Sequence, residues 1–382
     1  MEPLEGVNLM IYLDHAATTP MRAVAREQLR CSSEQLWGNA SALYGPGRAA
    51  RAALDQARAR AAELLGAQSR EVLFTSGGTE SNNWAMTAPD LRPGDHIVLS
   101  AVEHPSVLQT AASLARQGVE VTYLPVDSAA RVNPGDVQRA LRPQTRLVSV
   151  MMANNETGTV EPVQEIAALV RQAGALFHTD AVQAAGHLPI SFETLGADFL
   201  SLSAHKFGGP KGQGMLLIRR GVRVLPFHHG GEQERGLRAG TEDVPGILSM
   251  VAALEEANSL MQLENEHILA LRRHLEAGIH VLSPEALISA EHRERLPGHV
   301  HVIFPGIHPD LLLLRLDMAG ICASSGSACT AGIRQASHVC EAMHAPQGAA
   351  LRLSLGKDNT QEEISITLEK LGAILRDLKK QA

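Results

Sequence analysis

The chain has 382 residues, 45% of them hydrophobic, with 34 Lys and Arg set against 41 Asp and Glu for a formal charge of -7. That is apolar material for one large domain and a smaller one, while mixed charges and strand-sized apolar runs argue against a nucleic-acid-binding block and a membrane span. No basic segment followed by an apolar one opens the sequence, so no secretory signal is expected and the cytoplasm is the default setting.

Residues 47 to 66, GRAARAALDQARARAAELLG, are Ala-rich and predict a long helix closed by Gly66. Apolar β-rich runs follow at 71–76, 96–101, 120–126, 146–152, 176–181, 198–203 and 214–220. Helical patterns such as VQEIAALVRQAG (163–174) lie between several of them. Strands of this kind separated by helices predict an α/β fold, a mainly parallel sheet covered by helices. From about 250 the pattern changes. A long charged helix leads away, VHVIF (300–304) begins a smaller α+β unit, and EEISITLEKLGAILRDL (362–378) reads as an amphipathic helix. The predicted division is a large domain over 20–257 and a small one made of 1–19 plus 258–382.

Ligands of open parallel sheets bind outside the carboxyl ends of the strands, so the residues following each run matter most. After 71–76 come Gly77, Gly78 and Thr79, then a helix start whose free N–H groups suit an anion; a plain strand-to-helix turn is the equal alternative. Asp180 ends a buried apolar strand and needs a partner, whether a protonated pyridine nitrogen, an ion pair or a helix cap. The next strand runs into Ser203, Ala204, His205 and Lys206, where a lysine of lowered pKa is poised for a Schiff base. His104 follows another strand and can lie flat on a ring or be structural. Together these strand ends supply a phosphate cup, a ring-nitrogen partner, a stacking group and an amine, the parts that pyridoxal phosphate requires.

Four cysteines, Cys31, Cys322, Cys329 and Cys340, are too few and too scattered for a disulfide framework, and no C-x-x-C pair suggests zinc. Cys329 sits among small residues between Gly326 and Gly332, as a nucleophile on an exposed loop or as an incidental thiol. Arg352, in ALRLSLG (350–356), offers a guanidinium fork for a substrate carboxylate or a surface ion pair. His299 and His301 alternate on a strand as a metal pair would, but no carboxylate or cysteine cluster lies near them in sequence, and no metal is expected.

At these residues the chain resembles the cysteine desulfurases of the NifS/IscS type, within the class-V aminotransferase group. The resemblance runs through YLDHAATTP (12–20), GNASALYGPG (38–47), FTSGGTESNN (74–83), EHPSV (103–107), NNETG (154–158), HTDAVQ (178–183), SLSAHKFGGPKG (201–212), RAGTED (238–243), SSGSACTAG (324–332) and RLSLG (352–356). It implies the fold of the pyridoxal-phosphate transferases, with Lys206 holding the cofactor, Asp180 on its ring nitrogen, Gln183 on its phenolic oxygen and His104 on its face. Gly78, Thr79, Ser203 and His205 would hold the phosphate, with Thr241 reaching it from the other subunit of a homodimer. Asn155 and Arg352, with Asn39, would bind the substrate carboxylate or nearby cofactor atoms. The implied reaction takes sulfur from L-cysteine, leaving alanine and a persulfide on Cys329 for an acceptor protein, such as an iron–sulfur scaffold or a tRNA-thiolation protein. His15 stands where many relatives have Tyr, and the stretch after Cys329 departs from the usual continuation. An aminotransferase or selenocysteine lyase of the same fold is the nearest rival. A dehydrogenase reading of Gly45, Gly47 and Ala50 lacks a preceding strand, and a sulfur-carrier module would not need Lys206.

Overall fold

The computed structural model describes residues 10–325 and 337–381. Its strands are β1 (Ile11–Tyr12), β2 (Val72–Thr75), β3 (His96–Ser100), β4 (Glu120–Leu124), β5 (Thr145–Ser149), β6 (Leu176–Asp180), β7 (Phe199–Ser203), β8 (Gly214–Ile218), β9 (Leu287–Ile288), β10 (His299–Phe304), β11 (Ile321–Cys322) and β12 (Ala349–Ser354). Seven of them form one sheet in the order β2-β8-β7-β6-β5-β3-β4. Pairs among β3, β4, β5, β6 and β7 are parallel, whereas β8 runs antiparallel to both β7 and β2. The exception has a simple cause. Only residues 204–213 separate β7 from β8, too short a connection for a crossover helix, so the chain must turn back.

Successive residues of the central strands point to opposite faces. Val98, Val148 and Leu200 pack on one side with Leu54, Ile166 and Val170. Ile97, Leu147 and Phe199 pack on the other with Trp84 and Ala111. Both faces are thus covered, which is why these strands read as continuous apolar runs.

A second core joins Ile11, Val300, Val302, Phe304, Leu351 and Leu353 to Ile364, Leu371 and Leu375 of the helix Gln361–Gln381. Its sheets are the antiparallel β12-β10-β9 and the parallel pair β1-β11. The helix Val244–Leu282 contributes Ile247, Met250 and Leu254 to the large core and Ile268, Leu271 and Ile279 to the smaller one. At 1.5 Å per residue it spans about 58 Å, enough to tie the two together. It begins earlier than its apolar pattern suggests, because Asp243 caps it by accepting the Gly246 N–H at 3.1 Å and Pro245 suits its first turn. No described helix is long and apolar enough to cross a membrane.

Candidate active site

The carboxyl ends of β2, β3, β5, β6 and β7 open into a cavity of about 950 Å³. Gly77, Gly78 and Thr79 turn from β2 into the helix Gly78–Thr87, whose first N–H groups have no partner within the helix. A side chain is not tolerated here. Gly77 has φ +149, and a Cβ on Gly78 would lie 2.7 Å from Val182 Cγ2. Ser203 faces the same turn and lines the cavity with His205. His205 Nδ1 lies 3.1 Å from Thr18 Oγ1, and burial followed by the charge of Lys206 lowers its pKa to about 4, so it is a neutral donor or acceptor.

Asp180 is buried, and its carboxylate is held from both sides. Asn82 Nδ2 donates to Oδ2 at 2.6 Å, and the Val182 N–H donates to Oδ1 at 2.9 Å. Gln183 lines the cavity with its Nε2 donating to the Ala16 carbonyl at 3.0 Å. Lys206 Nζ donates to the carbonyls of Ala16 and Ala17, at 2.5 and 2.8 Å. Burial, with Arg352 adding to it, lowers the lysine pKa to about 8 despite the opposing charges of Asp180 and Asp14. An amine so depressed is a competent nucleophile near neutral pH.

His104 caps the helix Pro105–Arg116, its Nδ1 accepting the Ser106 N–H at 3.1 Å, and burial lowers its pKa. The preceding Glu103 is fully buried; burial first, and the nearby carboxylates of Asp180 and Glu161, raise its pKa well above the usual range. Its Oε1 accepts the Met151 N–H at 2.7 Å.

Arg352 and Asn155 close the cavity from β12 and the segment after β5. Arg352 donates to Asp14 Oδ1 at 2.7 Å and to the Asn155 carbonyl at 3.0 Å. Sequence reasoning left Asp14, Glu156, His338 and Glu341 without roles, although YLDHAATTP and NNETG contain the first two. Glu156, His338 and Glu341 line the cavity, and Ser337 donates to the Glu156 carboxylate, its oxygens lying 2.6 and 2.7 Å away. Asn39 and Thr241 are exposed and do not line the cavity. Cys329 lies outside the described residues.

The buried His301 has neighbours its sequence does not reveal. Nδ1 lies 2.8 Å from Ser289 Oγ and Nε2 lies 3.8 Å from Cys340 Sγ. Donor atoms of Glu156, His301 and Cys340 fall within 4.8 Å of one another, so a carboxylate and a cysteine do approach this histidine through the fold. Hydrogen bonds already engage all three, and burial, with the charges of Glu156 and Glu341, pushes the Cys340 thiol up to about 12.

These residues fit pyridoxal phosphate. Neutral donors at the turn after β2 would hold a phosphate, the braced and buried Asp180 carboxylate would suit a cationic ring nitrogen, and Lys206 would supply the amine.

Comparison with known proteins agrees. The aminotransferase class-V family model matches residues 11–366. The cysteine desulfurase IscS of Methanosarcina thermophila is 43% identical, the match covering all of this chain and 96% of that protein. A solved NifS-like protein superposes with a TM-score of 0.91 at 36% identity, over 97% of this chain and 100% of the other. SspA, solved in complex with cysteine, gives a TM-score of 0.80 at 32% identity, over 92% and 100%. The expected α/β transferase fold is therefore present. The chain belongs to the cysteine desulfurases, pyridoxal-phosphate-dependent enzymes of the class-V aminotransferase family.

Proposed function

We propose that the protein takes sulfur from L-cysteine with Lys206 as cofactor-bearing base and Cys329 as sulfur acceptor. The observation that carries this reading is the Lys206 amine, its pKa lowered to about 8, in one cavity with Asp180, His104 and Arg352. Gly78, Thr79, Ser203 and His205 hold the phosphate, Asp180 pairs with the ring nitrogen, Gln183 bonds the phenolic oxygen, and His104 stacks on the ring. Arg352 and Asn155 orient the substrate carboxylate. The bound cofactor supplies an electron sink for the carbon that loses its proton.

Lys206, once free, removes the Cα proton and later returns it. The Cys329 thiolate attacks the substrate sulfur; the S–S bond forms as the Cβ–S bond breaks, and the electron pair left at Cβ takes up a proton to complete alanine. One L-cysteine and one thiol thus give one alanine and one persulfide, with no external oxidant or reductant.

In the same reading the enzyme works in the cytoplasm as a homodimer and passes sulfur to an acceptor protein, as for iron–sulfur cluster assembly. Trp37, Leu43 and Tyr44 expose 72%, 89% and 55% of their surface beside Asn39, which suits a face covered by a second copy. Thr241 then reaches the phosphate from the other subunit, and Asn39 joins Asn155 and Arg352 at the substrate carboxylate or neighbouring cofactor atoms. Residues 20–257 form the cofactor unit, and 1–19 with 258–382 the smaller unit carrying Cys329.

The test is incubation with L-cysteine, with alanine and Cys329 persulfide measured together. Equal amounts in the first turnover are expected, both lost in Cys329→Ala, which keeps its yellow colour. Alanine formed by Cys329→Ala would overturn the reading.

A further inference from the structure

Three imidazoles line the cavity, those of His104, His205 and His338, and the reading above gives no part to the last. His338 opens the short helix His338–Ala342 and is half-buried at the cavity wall. Its Nε2 lies 3.0 Å from the backbone carbonyl of Glu103. A carbonyl only accepts, so Nε2 carries a hydrogen, and in the neutral ring Nδ1 is the bare acceptor. Among the described residues Nδ1 has no hydrogen-bond partner.

His104 is held through its other ring nitrogen. Its Nδ1 accepts from the Ser106 backbone N–H at 3.1 Å, and that group only donates, so the ring hydrogen sits on Nε2. Ser106 Oγ, 2.7 Å from the same Nδ1, then serves as a further donor. Both rings therefore carry their hydrogen on Nε2 and hang on backbone groups of the segment 103–106, His338 through Nε2 and His104 through Nδ1. One offers a hydrogen to the cavity and the other a lone pair. Glu156 and Glu341 line the cavity with His338, so a positive charge on that ring has carboxyl groups nearby.

We propose that His338 is a second proton-carrying residue of this site, the base for the thiol that attacks the substrate sulfur. This rests on the desulfurase reading above. The thiol S–H bond breaks and an Nδ1–H bond forms, leaving a thiolate and an imidazolium. After the Cβ–S bond breaks, the same proton passes to Cβ, so the count closes without solvent. His104 keeps its contact with the cofactor and supplies a donor.

His338→Gln isolates the effect, because the Gln amide can still donate to the Glu103 carbonyl but offers no base. General-base catalysis of this kind contributes about 10²-fold or more, so alanine formation from L-cysteine should fall by about that factor. Exchange of the Cα hydrogen of L-alanine in D₂O needs Lys206 but no thiol, and should stay within about twofold. Added imidazole should restore part of the activity of His338→Ala but not of His338→Gln. Histidine ¹⁵N NMR on the cofactor-free protein reads the premise directly and should show the Nε2–H tautomer for both rings.

An Nδ1–H tautomer at His338 overturns the proposal. So does unchanged turnover in His338→Gln, or an equal loss of both reactions, which marks a structural support only. Failure of the underlying reading looks different, since the unmodified enzyme would then form no alanine from L-cysteine.

Discussion

Arg352 Nη2 lies 2.7 Å from Asp14 Oδ1, tying the segment after β1 to β12 beside the cavity that Arg352 lines. The guanidinium is 3% exposed and also donates to the Asn155 carbonyl, so its plane is set before substrate arrives. A fork held this way can receive a carboxylate with two parallel bonds, which an ammonium cannot match. Arg352→Lys should therefore raise KM for L-cysteine by about tenfold while kcat changes by less than about threefold. Steady-state kinetics checks this, and an unchanged KM would remove Arg352 from substrate binding.

Lys206 gives a prediction that needs no cofactor. With its pKa lowered to about 8, the amine should react with an amine-directed reagent half-maximally near pH 8, far below the ordinary 10.5. The neutral amine is the reactive form, so labelling rises with pH through that midpoint. Arg352 is the second cause of the depression, after burial. Arg352→Gln should therefore move the midpoint up, and Asp180→Asn should move it down by removing a charge that favours the ammonium. Mass spectrometry of the labelled peptide against pH reads all three; a midpoint near 10 would contradict the buried, desolvated amine.

The strand ends were legible because their chemistry is local. A run such as LFHTDA or DFLSLSAHK carries both its β pattern and the residue that follows it. Placing Asp180 and Lys206 at the ends of β6 and β7 needed only the rule that sequential parallel strands aim the same way. What stayed hidden depends on distant parts of the chain. The carbonyls of Ala16 and Ala17 that receive the lysine carry no side-chain signal and lie about 190 residues away. Asn82 was visible within a motif, but nothing in SNN says that its amide braces Asp180. The pairing of His338 with Glu103 spans 235 residues, and the antiparallel β8 followed from a loop length that the strand pattern alone did not weigh.

Glu161 extends the argument to stability. It is 3% exposed, with Oε2 accepting the Val132 N–H at 2.9 Å, and burial raises its pKa to about 8. The folded protein then holds a proton there that the unfolded chain releases near 4.5. A raised folded pKa contributes stability that is fully present below pH 4.5 and is lost as pH rises through about 8. Glu161→Gln keeps the acceptor oxygen and cannot ionise, so it lacks this loss. Relative to Glu161→Gln, the native chain should lose stability between pH 5 and 8, with a slope of up to about 1.4 kcal/mol per pH unit. Urea unfolding of both proteins at several pH values across this window gives the difference directly. Parallel curves would mean that Glu161 ionises normally and that its buried oxygen is solvated in the folded state.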